Sequence, residues 1–222
     1  MGCFNPKTTQ EVGISLTKPK RIMIIFYSMY GHVEKLAREI LKGVNSVPGF
    51  KGELWSVEET QSQEVLKKMG AGSIANDIKI LTHDKIDELK SADGFLFGMP
   101  TRFGMMPEQM KNFWDSTGKH WQTGALYQKP AGFFFSTSSI GGGQETTAFT
   151  AITQLAHHGM IYVPLGYSFG SELYDVNELR GGSPYGAGTY AGDGKRLPSE
   201  LELRMAKHQG EYMAKFVNKI KK

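Results

Sequence analysis

Five short apolar runs recur along the chain, each followed by a polar loop. The first, residues 22–27, shows no alternation of polar and apolar positions, which is typical of a strand buried on both faces of a parallel sheet. Four further runs predict the remaining strands, at residues 53–57, 94–98, 131–136 and 160–165. Runs at this spacing predict an α/β fold with a doubly wound sheet of five parallel strands in the order 2-1-3-4-5.

Helical patterns fill the intervals between these strands. After the first strand, one apolar stripe at helical spacing is formed by Val33, Leu36, Ala37, Ile40, Leu41 and Val44. Further helices are predicted at residues 84–89, 107–117 and 144–157. The last helix begins after Pro198 with a capping-box sequence at residues 199–202. In a doubly wound fold these helices cover both faces of the sheet.

Two stretches are longer than ordinary connections. Residues 58–92 exceed a single strand-to-helix connection, and residues 166–198 are rich in glycine with little helical or strand pattern. Long irregular segments of this kind tend to be functional or to contact a partner. Because no internal repeat is evident, we predict one domain over residues 20–222, preceded by a disordered arm of residues 1–19.

The polar loop after the first strand, residues 28–32, lies at the carboxyl end of a strand and the amino end of a helix. Free N–H groups and the helix dipole favour an anion at such a place. The loop is not a P-loop, because no lysine follows Gly31, and it lacks the three glycines of a dinucleotide fingerprint. One glycine beside Ser28 suits a single terminal monophosphate, although any strand-to-helix turn contains similar residues.

Two later loops have the same character. Residues 100–104 follow the third strand and residues 137–143 the fourth, and parallel strands bring both loops to the same edge as the first. Hydroxyls and glycines there, with Tyr30, Phe103 and Trp121 as aromatic walls, suit a planar ligand with a phosphate tail. This convergence favours flavin mononucleotide (FMN) over a nucleoside triphosphate.

The composition of the chain excludes some classes of binding partner. The net charge of +4 is modest, and the chain has no basic stretch interleaved with aromatics of the kind that binds nucleic acid. Cys3 is the only cysteine and no histidine spacing matches a metal site, so we predict neither disulfides nor a metal. The predicted location is cytoplasmic. Acylation of Gly2 and Cys3 would attach the protein to the plasma membrane, although Pro6 stands where the myristoylation pattern has Ser or Thr.

Seven motifs resemble those of the WrbA-type (type IV) NAD(P)H:quinone oxidoreductases, a flavodoxin-like family of FMN enzymes. They are SMYGHVE, GMPTRFGMMPEQMK, GALY, GGGQE, LAHHGM, RGGSPYGAGTYAGDG and AKHQGEY. The resemblance covers residues 20–220, which is nearly the whole chain. In that family the two long stretches are insertions that distinguish its members from simple flavodoxins and help build a homotetramer, a dimer of dimers.

The resemblance implies a cofactor site on the three converging loops. The FMN phosphate is expected at Ser28, Met29, Tyr30, Gly31, His32 and Val33. The isoalloxazine ring is expected along Pro100, Thr101, Arg102, Phe103 and Gly104. Its other side is expected to face Thr137, Ser138, Ser139, Ile140, Gly141 and Gly142. This last loop is one residue longer than the family's usual form, which leaves two registers open over residues 137–140.

The resemblance also implies roles in catalysis and substrate binding. His157 is expected to reach FMN or the substrate from the end of its helix, and Arg102 and His157 are the candidates to stabilise the reduced, anionic flavin. Tyr30 matches a position that contacts nicotinamide, and Trp121 matches one that contacts the quinone. From the residues alone, His157 and His158 also fit a hydrogen-bonded pair in the core.

The implied activity is two-electron reduction of quinones to hydroquinones by NADH or NADPH, in a ping-pong hydride transfer through FMN. A second hypothesis is a flavodoxin-like regulatory or membrane-organising protein that binds FMN with little turnover. The Gly2-Cys3 start and the basic chain ends favour this alternative. A one-electron carrier fits less well, because simple flavodoxins lack both insertions and are usually acidic.

Overall fold

The structure of the chain is a computed structural model that describes residues 18–220. Seven strands within these residues form one parallel sheet: β1 (Lys20–Phe26), β2 (Phe50–Val57), β3 (Lys79–Leu81), β4 (Gly94–Pro100), β5 (Pro130–Thr137), β6 (Ile161–Tyr162) and β7 (Gly188–Tyr190). Six α-helices accompany them: α1 (His32–Asn45), α2 (Gln63–Lys68), α3 (Glu108–Ser116), α4 (Gly118–Gln122), α5 (Gln144–His157) and α6 (Glu200–Ile220). Two 3₁₀ helices lie at His83–Ser91 and Gly170–Leu173.

The strand order is β3-β2-β1-β4-β5-β6, and β7 also pairs with β5. The order β2-β1-β4-β5-β6 confirms the predicted 2-1-3-4-5 arrangement of five parallel strands. The two additional strands come from the two long stretches, residues 58–92 and 166–198. Strand β3 pairs with residues 55–57 of β2, and β7 pairs with residues 135–137 of β5. Each is three residues long, which is too short to show a hydrophobic period.

The strand predicted at residues 160–165 is wrong in length, because only Ile161–Tyr162 forms β6. Pro164 has no N–H group to donate to a neighbouring strand. Strand β6 therefore pairs only with Pro130 and Ala131, at the amino end of β5, while β7 takes the position beside its carboxyl end. The helices predicted at 107–117 and 144–157 agree with α3 and α5, whereas residues 84–89 lie in a 3₁₀ helix.

Alternate side chains of β1 enter cores on opposite faces of the sheet. Ile22 and Ile24 share a core with α1 and α6, whereas Met23 and Ile25 share one with α3 and α5. All four side chains are fully buried. Burial on both faces explains why the first apolar run shows no polar positions.

Helices α1 and α6 are in backbone contact where they cross. A Cβ atom on Gly43 of α1 would lie 1.9 Å from the carbonyl oxygen of Lys207. A Cβ atom on Gly210 of α6 would lie 2.1 Å from the carbonyl oxygen of Ile40. Real Cβ atoms do not come within 3.0 Å of such atoms, so this crossing requires a residue without a side chain at both positions.

The predicted N-terminal arm falls almost entirely outside the described residues. Gly2 and Cys3 lie in that part of the chain, so their acylation, membrane attachment and the predicted cytoplasmic location stay predictions. Between residues 18 and 220, the structure contains no helix with the length and apolar content needed to cross a membrane. The same residues contain no group of three His, Cys, Asp or Glu side chains placed to hold a metal ion.

Candidate functional site

A cavity of about 600 Å³ opens at the carboxyl edge of the sheet, between the ends of β1, β4 and β5. Its volume lies within the range of about 300–1,000 Å³ that is usual for small-molecule sites. The sequence-predicted residues that line it are Ser28, Met29, Tyr30, His32, Val33, Pro100, Thr101, Arg102, Thr137 and Ser138. All three predicted loops therefore contribute to one cavity.

The first loop leaves the amino end of α1 open towards this cavity. Gly31 precedes the helix with a φ of 83°, a left-handed conformation that favours glycine, and it has no side chain that could accept the first N–H groups of the helix. The hydroxyl of Ser28 accepts the N–H of Glu34 at 3.2 Å, which folds the loop over the first helical turn. The N–H groups at the start of a helix have no acceptor within it. These groups and the helix dipole suit a phosphate.

A polar network beneath this loop fixes its position. Tyr27, the residue before Ser28, donates its hydroxyl to the Glu59 carboxylate at 2.8 Å, and the amide of Gln109 on α3 donates to the same carboxylate at 2.8 Å. Burial on its own would raise the pKa of Glu59, but hydrogen bonds, led by that from the Gln61 N–H, hold the pKa below its ordinary range. Burial and the bond to Glu59 raise the pKa of Tyr27, so its hydroxyl stays a donor.

The second loop forms a tight two-residue turn. Arg102 and Met105 exchange backbone hydrogen bonds of 2.8 and 2.9 Å, and both residues between them have positive φ angles, 52° for Phe103 and 74° for Gly104. This is the type I′ geometry that usually selects Asn or Gly at its first position. A phenylalanine there is strained, and its ring is fully exposed. The turn therefore displays an aromatic ring beside Arg102 at the cavity edge.

The third loop divides its residues between two cavities. Thr137 and Ser138 line the large cavity, whereas Gly141 and Gly142 line an adjacent one of about 280 Å³. Residue Ile140 projects into solvent between them. Seven predicted residues in the three loops do not line the large cavity themselves. They are Gly31, Phe103, Gly104, Ser139, Ile140, Gly141 and Gly142.

Two other predicted residues, His157 and Trp121, lie at the opposite edge of the sheet. His157 ends α5 a few residues before β6, which pairs with the first residues of β5, whereas the cavity lies at the last ones. The eight residues of β5 span roughly 23 Å at about 3.3 Å per residue. The Thr117 hydroxyl, just before the helix that carries Trp121, is hydrogen-bonded to His158 at 2.8 Å. His158 is thus a core residue, while His157 is exposed and does not reach the cavity of its own chain.

Sequence analysis missed part of the cavity wall. The additional lining residues are Met69, Ser136, Ala191, Gly192, Asp193, Gly194 and Lys195. Most of them belong to the glycine-rich stretch 166–198, whose length and composition marked it as functional without showing where it would lie. Only its contact with the first and third loops, seen in the structure, places it at the site.

Comparisons with known proteins agree with this geometry. Residues 22–173 match the model of a family described as NADPH-dependent FMN reductase. The chain is 57% identical over 202 residues to "Quinone-oxidoreductase QR2" of Triphysaria versicolor, covering 90% of this chain and 97% of that protein. It is 55% identical over 219 residues to "Probable NAD(P)H dehydrogenase (quinone) FQR1-like 2" of Arabidopsis thaliana, covering 99% of this chain and 79% of that protein.

The fold also has a counterpart among solved structures. The crystal structure of the flavodoxin, WrbA-like protein from Agrobacterium tumefaciens superposes with a TM-score of 0.63 at 20% identity. The match covers 90% of this chain and 98% of that one. At this identity the similarity shows the fold alone, which is the flavodoxin-like α/β fold that the sequence motifs predicted.

Proposed function

The chain belongs to the NADPH-dependent FMN reductase family, and from this premise we propose that it is an FMN-dependent NAD(P)H dehydrogenase (quinone), which reduces quinones to hydroquinones by two electrons. The observation that carries the proposal is one cavity that is bounded by the amino end of α1 and by hydroxyl-bearing loops from three strands. Its relatives named for quinone reduction support the choice of electron acceptor.

The residues present fit FMN. The amino end of α1 and the Ser28 loop would hold the phosphate, because they combine open N–H groups with a left-handed glycine whose missing side chain leaves free space. Thr101, Thr137 and Ser138 offer hydroxyl donors and acceptors to the polar edge of the ring. When bound, FMN supplies the hydride-accepting and hydride-donating chemistry that no amino-acid side chain provides.

The protein contributes charge and surface to this reaction. The guanidinium of Arg102 donates to the carbonyl oxygen of Thr101 at 3.1 Å, and its positive charge would stabilise negative charge at the cavity. Tyr30 is half-exposed at the cavity, where its hydroxyl donates to the carbonyl oxygen of Met69 at 3.3 Å. Its ring offers a flat face to a nicotinamide or quinone ring.

We expect Gly31→Ala to weaken FMN binding at least tenfold, because its Cβ would stand in the open space before the first turn of α1. Gly49→Ala is the matched control. Gly49 has nearly the same φ, 81° against 83°, and the same free space, but it lies before β2 at the other edge of the sheet. Titration of flavin fluorescence should show weaker binding for the Gly31 variant only.

Activity is tested with the wild-type protein loaded with FMN. NADH or NADPH oxidation that depends on added benzoquinone is the expected result, with FMN-free protein as the control. Bound FMN without quinone-dependent turnover would contradict the enzymatic function and favour the regulatory or membrane-organising alternative. A protein that binds no FMN would contradict both functions.

The positions of His157 and Trp121 support a role for a second copy of the chain. Either residue can contribute to a cavity only if the sheet edge that carries it covers the cavity of another copy. Exposed apolar side chains lie at both places, Phe103 and Met105 beside the cavity and Trp121 and Tyr127 at the opposite edge. Such exposed surface is typical of a protein interface. We therefore propose a homotetramer, a dimer of dimers, in which His157 and Trp121 act on the neighbouring chain's FMN and quinone.

Subunit mixing tests this arrangement. Arg102→Ala and His157→Ala should each lower activity, and co-assembly of the two variants should restore it in about a quarter of the sites, because random pairing unites a wild-type Arg102 with a wild-type His157 at that frequency. The mass of the particle, measured by light scattering, should be four times the chain mass of 24.6 kDa. A monomeric active enzyme, or mixtures without any gain, would contradict the shared site.

A further inference from the structure

The chain crosses the cavity mouth between the third loop and the first. We name residues 191–196 the crossing segment. At its start, the N–H groups of Ala191 and Gly192 donate to the carbonyl oxygens of Thr137 and Ser138 at 2.7 and 2.9 Å. At its end, the Nε2–H of His32 donates to the carbonyl oxygen of Arg196 at 2.9 Å. The crossing segment is therefore tied to both loops and forms a fourth wall of the cavity.

A buried ion pair holds this glycine-containing segment in place. The guanidinium of Arg196 donates to the Glu202 carboxylate at 2.9 Å and to the carbonyl oxygen of Tyr190 at 2.6 Å. Glu202 has no solvent exposure. Because the charged partner is fixed in the protein interior, the last residue of the crossing segment has a defined position next to His32, the first residue of α1.

Lys195 brings a positive charge to the cavity from this wall. It and Arg102 are the lysine and arginine side chains among the lining residues, and Arg102 belongs to the loop after β4. Lys195 is adjacent to Arg196, whose carbonyl oxygen contacts the helix terminus that suits a phosphate. Its Nζ lies 2.9 Å from the Asp193 carboxylate, which also lines the cavity. Both side chains are largely exposed, so this ion pair contributes little stability.

We propose that Lys195 is a further ligand of the FMN phosphate. When FMN binds, the Lys195 ammonium would exchange its ion pair with Asp193 for one with the more strongly charged phosphate. This inference rests on the proposed function, since it takes FMN as the ligand. A phosphate monoester carries about −2 charge at neutral pH and outcompetes a single exposed carboxylate for an ammonium group. In this arrangement Asp193 weakens FMN binding, because its carboxylate repels the same phosphate.

The two residues should therefore act in opposite directions on FMN affinity. We expect Lys195→Gln to weaken FMN binding about tenfold, equivalent to about 1.4 kcal/mol, and Asp193→Asn to strengthen it severalfold. Lys195→Arg should keep most of the affinity. Riboflavin, which lacks the phosphate, should bind Lys195→Gln and wild type equally. A higher salt concentration should reduce the difference in FMN affinity between Lys195→Gln and wild type.

The experiment measures dissociation constants of FMN and riboflavin by flavin fluorescence on full-length apoprotein. Lys111→Gln serves as the matched control, because Lys111 is also an exposed lysine paired with an aspartate, Asp115, but does not line the cavity. Equal FMN affinity of Lys195→Gln and Lys111→Gln would overturn the proposal. A loss of riboflavin affinity in Lys195→Gln as large as its loss of FMN affinity would also overturn it. Wild-type protein that binds no FMN would instead contradict the proposed function.

Discussion

Replacing Glu202 by leucine is expected to lower the free energy of unfolding by about 3–5 kcal/mol, the cost of breaking a buried ion pair from one side. The fully buried carboxylate accepts hydrogen bonds from five groups: the N–H groups of Gly181, Tyr190 and Ser199, the hydroxyl of Thr189 and the guanidinium of Arg196. Leucine fills a similar volume but leaves these donors without their acceptor. Denaturant unfolding measures the change.

Glu202→Gln separates the loss of charge from the loss of the hydrogen-bond acceptors. Its amide oxygen keeps one acceptor, so we expect a smaller loss of stability together with weaker FMN binding, because the wall next to His32 loses its fixed partner. Glu200→Leu, at an exposed position in the same helical turn, is the control and should change stability by less than about 0.5 kcal/mol. Equal stability of the Glu202→Leu and Glu200→Leu proteins would show that the buried carboxylate does not anchor this wall.

The second large effect is expected at the crossing of α1 and α6. Gly210→Ala should destabilise the protein by about 3 kcal/mol, at the upper end of overpacking costs, because the clash is with a backbone oxygen that cannot rotate away. The helices must then separate, and the core between them loses contact. Thermal or denaturant unfolding of the purified variant measures this loss.

Gly118→Ala is the matched control for this substitution. Gly118 lies in the short helix α4, and a Cβ atom there meets nothing within 4 Å, so alanine should leave stability unchanged or raise it by about 0.4–1 kcal/mol. Gly43→Ala should resemble Gly210→Ala. The double variant should lose less than the sum, because helices already separated by one methyl group have room for the other. A neutral Gly210→Ala would contradict the close crossing.

The accuracy of the sequence predictions depended on the length of each pattern. The apolar runs of β1, β4 and β5 were predicted because burial on both faces leaves them almost entirely apolar. Strands β3 and β7 were missed, since three residues cannot show a period and their pairing is decided by distant neighbours. The capping box before α6 was predicted, and Ser199 and Glu202 do exchange hydrogen bonds of 2.8 and 3.2 Å. That this same carboxylate anchors a cavity wall could not be predicted from local sequence.

The candidate site was likewise predicted only in part from the sequence. Loops that directly follow strands were placed correctly at one edge, because a parallel sheet fixes the direction of every strand. The crossing segment was missed, since nothing in residues 191–196 indicates contact with His32. His157 and Trp121 were expected at the cavity from motif resemblance, but the length of α5 and β5 separates them from it within one chain.

The hydrogen bond between His32 and Arg196 joins positions 164 residues apart. During synthesis the amino end of α1 leaves the ribosome early, but the fourth wall of the cavity and the Glu202 carboxylate that holds this wall are made near the end of the chain. Contacts this distant in sequence form late and slowly in folding. A ligand in contact with both parts of the cavity would add its binding energy to the stability of the complete fold, and a chain that ends before α6 would lack this contribution.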